Sequence, residues 1–185
     1  MREKNILVTG RPGIGKTTAV LRAVHHLRST GLVIGGFISR EERREGTRVG
    51  FIMIDLMTGE EAYLARVGEG RPRVGKYVVL VDELDRLGVG AILTALNSAD
   101  VVIIDEIGPM ELLSTSFKRA VRSALDSSKP VIATIHAKAE LSAFGKEVLE
   151  RKDYTLIVVT ESNRNDVPHR LVELVHRITS RKQTK

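Results

Sequence analysis

Gly10-Arg11-Pro12-Gly13-Ile14-Gly15-Lys16-Thr17 fits the pattern G-x-x-x-x-G-K-[ST], and it stands where that pattern has physical meaning. Asn5-Ile6-Leu7-Val8-Thr9 ahead of it is a short apolar run suited to a buried strand. Behind it, Ala19, Val20, Ala23, Val24 and Leu27 fall on one helical face. A strand feeding a glycine loop and then a helix confines the chain to an α/β architecture whose first connection grips an anion. Gly10, Gly13 and Gly15 let the backbone turn tightly, so that its N–H groups reach phosphate oxygens, and the positive end of the following helix favours the same charge. Lys16 can then neutralise β- and γ-phosphate charge, and Thr17 can give its hydroxyl to Mg²⁺.

A second string completes the chemistry. The apolar run Val101-Val102-Ile103-Ile104 ends in Asp105-Glu106. Mg²⁺ keeps several waters and takes few protein carboxylates, so Asp105 is expected to join Thr17 as its protein partner. Alternation along a strand then turns Glu106 elsewhere, toward the γ-phosphate side, as catalytic base or water-positioning group. Thr134 and His136, at the next strand end, could sense the γ-phosphate or orient water. Arg151 and Arg164 are candidates for a positive group facing the transferred phosphoryl. Lys16, Glu106, Arg151 and Arg164 are therefore the expected catalytic residues of an Mg²⁺-dependent nucleoside-triphosphate hydrolase.

The intervening chain changes character. Residues 32–39, 48–55 and 61–67 read as strands too close together for helical crossovers, so they can pair only as antiparallel hairpins. Residues 33–67 are thus expected to form a β-rich extension at the edge of the main sheet. Residues 68–76, with Gly68, Gly70, Pro72 and Gly75 among Arg71, Arg73 and Lys76, read as a flexible basic loop, either a lid or a solvated connector. From residue 83 onward helices and strands alternate, with helices near 83–96, 117–125, 139–150 and 167–178 and strands at 101–105, 131–135 and 155–159. Such alternation predicts a mostly parallel sheet covered by helices on both faces, with ligands at the carboxyl ends of its strands. At 185 residues and 42% hydrophobic, one domain is expected.

Charge and composition narrow the partners. The 29 basic residues are interspersed with 23 acidic ones, and a net charge of +6 so distributed describes a charge-laced surface more than a nucleic-acid arm. Aromatic residues, at 4%, supply no stacking series for single strands. Cysteine is absent, no stretch approaches a membrane span, and Met1-Arg2-Glu3-Lys4 runs straight into the first strand, so a cytoplasmic protein without a membrane partner is expected. Residues 181–185 read as a frayed, solvated end.

Asn163-Arg164-Asn165-Asp166 offers a rival, since it approximates the guanine-reading N-K-x-D of GTPases, while Asp105-Glu106-Ile107-Gly108 formally fits their D-x-x-G. An acid directly after the metal Asp is more typical of ATPases with a catalytic glutamate.

Taken with the 10–17 loop, the strings Gly35-Gly36-Phe37, Arg48-Val49-Gly50-Phe51, Arg73-Val74-Gly75-Lys76-Tyr77, Ile104-Asp105-Glu106-Ile107-Gly108-Pro109-Met110-Glu111-Leu112 and Glu161-Ser162-Asn163-Arg164 resemble the small nucleoside-triphosphatases of the thermophile type. The vertebrate member of that family is the cancer-related nucleoside-triphosphatase. The resemblance implies a RecA-like P-loop core and Mg²⁺-dependent phosphate release from ATP, GTP, CTP, UTP and TTP with little preference among bases. It also implies nucleotide contacts across 10–17 and along Val101, Val102, Ile103, Ile104, Asp105, Glu106, Ile107 and Gly108. Two alternatives stay open. A nucleotide or nucleoside kinase would share the phosphate loop and could use Arg71 and Arg73 as an arginine lid, and a nucleic-acid-associated ATPase module would exploit the net positive charge.

Overall fold

A computed structural model of the chain describes residues 3–180; Met1, Arg2 and the terminal residues 181–185, read above as a frayed end, lie outside the described residues. Strand β1 (Asn5–Thr9) enters the phosphate-loop region and α1 (Lys16–Ser29) leaves it. Along β1 the side chains alternate: Ile6 and Val8 pack with the apolar face of α1, while Leu7 points to the opposite core. The same alternation divides β7 (Val101–Ile107), with Val101 and Ile103 on the α1 side and Val102 and Ile104 on the other.

A buried sheet must be covered on both faces, and the sequence supplies helices for each. The α1 side also receives α6 (Val167–Ser180) through Leu171, Val172 and Val175. The far side receives α4 (Thr115–Asp126), whose Phe117, Ala120, Val121, Ala124 and Leu125 recur at helical spacing behind an N-cap, Ser114, that accepts the Phe117 amide at 2.9 Å. That face is completed by α5 (Ala143–Leu149), which follows a 3₁₀ turn at Ala139–Leu141. A continuous helical segment also lies there: α2 (Val81–Glu83), a π-helical stretch (Leu84–Val89) and α3 (Gly90–Ser98).

Nine strands form one sheet. With β2 (Ile34–Arg44), β3 (Thr47–Asp55), β4 (Glu61–Val67), β5 (Arg73–Val74), β6 (Tyr77–Val79), β8 (Val131–Ile135) and β9 (Tyr154–Val158), the order is β5-β6-β4-β3-β2-β7-β8-β1-β9. The run from β2 to β9 is parallel throughout, with β8 interposed between the phosphate-loop strand β1 and the acidic strand β7, as in a RecA-like core. The run from β2 to β5 is antiparallel throughout.

Strand β2 belongs to both halves. Ile34 to Phe37 pair parallel to β7, and from Phe37 onward the strand pairs antiparallel with β3. Gly36, at φ 96°, is required by this approach, because a Cβ there would lie 2.0 Å from the Ile103 carbonyl oxygen. The extension also reaches beyond 33–67. Within 68–76, read as a flexible loop, Arg73–Val74 form β5 and pair with β6. Four strands separate β5 from β7, so Arg73 does not furnish the arginine lid a kinase would need over the phosphate loop. No helix among the described residues is long and apolar enough to cross a membrane.

Candidate active site

Because β1, β7, β8 and β9 run in one direction, their carboxyl ends meet at one edge of the sheet, and the loop between β1 and α1 crosses that edge. Gly10, Gly13 and Gly15 all have positive φ, at 147°, 77° and 109°. Gly10 also lies so close to the end of β9 that a Cβ would sit 2.7 Å from the Val159 carbonyl oxygen. Helix α1 starts from Gly15 with no side-chain cap and no acid in its first turn, so its positive end is left to an external anion. Lys16 folds back over the loop and donates to the Gly10 carbonyl at 3.0 Å.

The distant acidic pair arrives at the same place. Thr17 Oγ1 donates to Asp105 Oδ2 at 2.8 Å, and Lys16 Nζ lies 3.6 Å from Glu106 Oε2. Asp105 is buried and is further held by the Thr134 hydroxyl and, at 3.4 Å, by the Ser39 amide in the middle of the shared strand β2, just past its parallel pairing with β7. The Thr134 hydroxyl, expected to sense the γ-phosphate or orient water, is fully buried and donates to Asp105. Ser39 was not singled out in the sequence because nothing there showed that β2 would pair beside β7.

Burial, ahead of the opposing hydrogen bonds from Thr134, Thr17 and Ser39 and the charge of Lys16, raises the proton affinity of Asp105. Burial likewise raises Glu106, with Lys16 pulling it back and Asp105 adding to the rise. Hard oxygen donors from Thr17 and Asp105, side by side in a pocket short of positive charge, suit Mg²⁺.

Strict alternation would have sent Glu106 away from Asp105, yet Lys16 serves both, its Nζ 3.6 Å from Glu106 Oε2 and its charge acting on Asp105. The β7–β8 register is irregular between Ile104 and Ile107, so Asp105 and Glu106 lie in a stretch that regular pairing does not hold to strict alternation. Beyond it, His136 donates its amide to the Ile107 carbonyl at 3.1 Å, and burial followed by the charge of Lys16 keeps its imidazole less basic than usual. Its Nδ1 accepts the Lys138 amide at 3.2 Å.

Several expected contacts move elsewhere. Val101, Val102, Ile103, Ile104 and Ile107 are at most 1% exposed and their side chains fill the two cores; Asp105, Glu106 and Gly108 are the members of that segment at the site. Arg151 is the larger correction. It precedes β9, at the opposite end of the sheet, where it binds Asp153 (2.8 and 2.9 Å), Asp126 (2.8 Å) and the Leu125 carbonyl (3.0 Å). Arg164 lies in the turn after β9, on the phosphate-loop edge, and is exposed.

The same turn carries the Asn163 of the guanine-reading alternative. Asn163 Oδ1 accepts the Thr160 amide and its Nδ2 donates to the Val158 carbonyl, both at 2.8 Å, so its side chain stitches the turn together. Arg11, Ile14, Val159, Thr160, Glu161 and Ser162 line a cleft of about 580 Å³ beside the loop, bridged by an Arg11–Glu161 ion pair.

One buried carboxyl beside the site escaped the sequence reading. Glu111, in the 3₁₀ turn Glu111–Leu113 after β7, is only 5% exposed, and burial, then the charges of Glu106 and Asp105, push its carboxyl up to about 8. It lies inside the quoted string, but nothing in the spacing marks it as buried.

Comparison with known proteins agrees with this geometry. A family model described as NTPase matches residues 5–172. A nucleoside-triphosphatase THEP1 from Thermofilum pendens is 53% identical over 182 residues, covering 98% of this chain and all of the relative. The crystal structure of THEP1 from the hyperthermophile Aquifex aeolicus superposes with a TM-score of 0.81 at 30% identity, covering 92% of this chain and 98% of that one. The solution structure of a human cancer-related nucleoside triphosphatase gives 0.80 at 36% identity, with 95% and 97% covered. With its phosphate loop, acidic strand end and nearly full-length match, the chain belongs to this NTPase family.

Proposed function

We propose that the chain, a nucleoside-triphosphatase by family, hydrolyses Mg²⁺-bound nucleoside triphosphates to diphosphate and phosphate where the 10–17 loop meets the end of β7. The observation that carries this is the convergence of the two strings: Thr17 on Asp105 at 2.8 Å and Lys16 on Glu106 at 3.6 Å. The loop amides and Lys16 hold the β- and γ-phosphates. Thr17 and Asp105 are the residues that would hold Mg²⁺, which supplies charge neutralisation on the phosphate oxygens.

Glu106 takes the proton from the attacking water as its oxygen bonds to the γ-phosphorus and the bond to the β-phosphate oxygen breaks. Its raised proton affinity makes it a better base than an ordinary carboxylate. Arg164 is the remaining arginine candidate for the γ-phosphate, being on the correct edge of the sheet.

Tolerance among bases follows from the cleft. Ile14 and Val159 offer an apolar floor and Arg11 a flat guanidinium, whereas Thr160 and Ser162 hydroxyls are 2.9 Å from each other and Asn163 is occupied by backbone. A base is then held by packing rather than by its hydrogen-bonding edge. Phosphate release from ATP, GTP, CTP, UTP and TTP, with and without Mg²⁺, RNA and phosphoryl acceptors, tests this. The expected outcome is Mg²⁺-dependent release from all five within about tenfold in kcat/KM. Transfer that requires an acceptor would establish a kinase, and release that requires RNA would establish a nucleic-acid-associated module.

A further inference from the structure

We propose that Glu111 is a positioning residue for hydrolysis: its buried carboxyl, set across the bare Cα of Gly108, keeps the Glu106 carboxylate aimed at the attacking water. A Cβ built on Gly108 would lie 2.8 Å from Glu106 Oε1 and 3.1 Å from Glu111 Oε2, so the two carboxyl groups converge on one point that only glycine leaves open. The turn carrying Glu111 is fixed from both sides. Leu112 donates to the Gly108 carbonyl at 3.0 Å and Ser114 to the Glu111 carbonyl at 3.1 Å, while the Ser114 hydroxyl caps α4 and donates to Asp85. Glu111 is therefore delivered to Gly108 by a pinned backbone.

Its charge environment gives this position a purpose. Glu106 has Lys16 at 3.6 Å, whereas no ion pair among the described residues involves Glu111, whose carboxyl accepts only the amides of Gly108 and of Glu111 itself. The titratable groups facing it are Glu106 and Asp105 of β7; Asp85, on the π-helical stretch, is engaged by Ser114. Burying a carboxyl without a cation is costly, and an apolar side chain of similar volume would fill the space without that cost. With its carboxyl pushed up to about 8, Glu111 keeps its proton at neutral pH beside Glu106. It lends a hydrogen-bonding surface to that carboxylate without adding a third negative charge where a triphosphate must bind.

The test is kcat and KM for Mg²⁺-ATP between about pH 6 and 9.5 in the unmodified enzyme, Glu111→Gln and Glu111→Ala, with thermal melts of each. Glu111→Ala is expected to lower kcat about tenfold with KM within about threefold, while Glu111→Gln, neutral and able to donate, loses less than about threefold at pH 7. The unmodified enzyme is expected to change kcat near pH 8, and that change should flatten in Glu111→Gln, which a merely structural role would not do. Unmodified kcat in a folded Glu111→Ala, or an unmodified pH profile in Glu111→Gln, would overturn the proposal. The proposal rests on Glu106 as the base: an active Glu106→Gln refutes that assignment, whereas unperturbed Glu111 variants beside an inactive Glu106→Gln refute this inference alone.

Discussion

Where β1 begins, Asp153 is matched by Arg151 and by Lys4 at 3.8 Å, whereas at its catalytic end Asp105 and Glu106 share the ammonium of Lys16 and Glu111 has no ion pair among the described residues. Both clusters are buried and hydrogen-bonded, and no buried side-chain polar atom among the described residues lacks a partner. Their proton affinities nonetheless move in opposite directions. Burial works to raise Asp153, but the hydrogen bond and charge of Arg151 overcome it and leave the carboxyl below its usual range. At the catalytic end burial prevails and all three carboxyls are raised. The first cluster is a closed ionic joint, and the second is short of positive charge until a metal and substrate arrive. Buried charge thus marks a functional site where compensation is incomplete, and a scaffold where it is complete.

The sharpest way to break this contrast is to remove the one cation of the catalytic cluster. Lys16→Ala is expected to lower kcat/KM for Mg²⁺-ATP by about three orders of magnitude, because a charge on the transferred phosphoryl is lost in a water-poor site. Steady-state phosphate release measures it, and a loss below about tenfold would place the phosphates elsewhere. Removing the cation at the other end should have the opposite profile. Arg151→Ala is expected to keep kcat within about twofold while costing about 2–4 kcal/mol of stability, since it removes the guanidinium that makes two hydrogen bonds to the buried Asp153 and leaves Lys4 at 3.8 Å and Asn5 to hold it. Denaturant unfolding beside the phosphate assay separates the two effects.

The smallest effect is a difference in pH dependence. Asp153, lowered in the fold, contributes stability that is present above its unfolded value of 3.8 and lost as pH falls through the folded one. Glu111, raised from 4.5 to about 8, does the reverse: its contribution is present below 4.5 and lost as pH rises toward 8. Thermal melts across pH should therefore show Asp153→Asn losing the acid-side dependence and Glu111→Gln melting higher than the unmodified chain at about pH 8–9. A Glu111→Gln that melts no higher there would count against a neutral carboxyl in the native state.

Much of this architecture was legible in the chain because it rests on periodicity. The phosphate loop, its flanking strand and helix, and the apolar strand ending in Asp105 follow from short local patterns. Arg151 was misplaced although a signal existed: in parallel units the helix-to-strand connections lie at the amino ends of the strands, so a residue just before β9 faces away from the phosphate loop. Ser39 was hidden for a different reason. Its proximity to Asp105 depends on β2 lying beside β7, a pairing between segments more than sixty residues apart. Asp105 and Glu106 both come under Lys16 in a stretch whose pairing is irregular, which alternation cannot foresee. Glu111 required a fact no pattern encodes, namely that the turn after Gly108 folds inward.

The central claim, that Glu106 drives hydrolysis at a site assembled by Lys16, Thr17 and Asp105, is tested most directly by single-turnover cleavage of Mg²⁺-ATP in Glu106→Gln beside equilibrium binding of the same nucleotide. Cleavage slowed by about two to four orders of magnitude with affinity within about threefold is the expected result. Cleavage within about tenfold of the unmodified rate would contradict it and move the proton acceptor to another group.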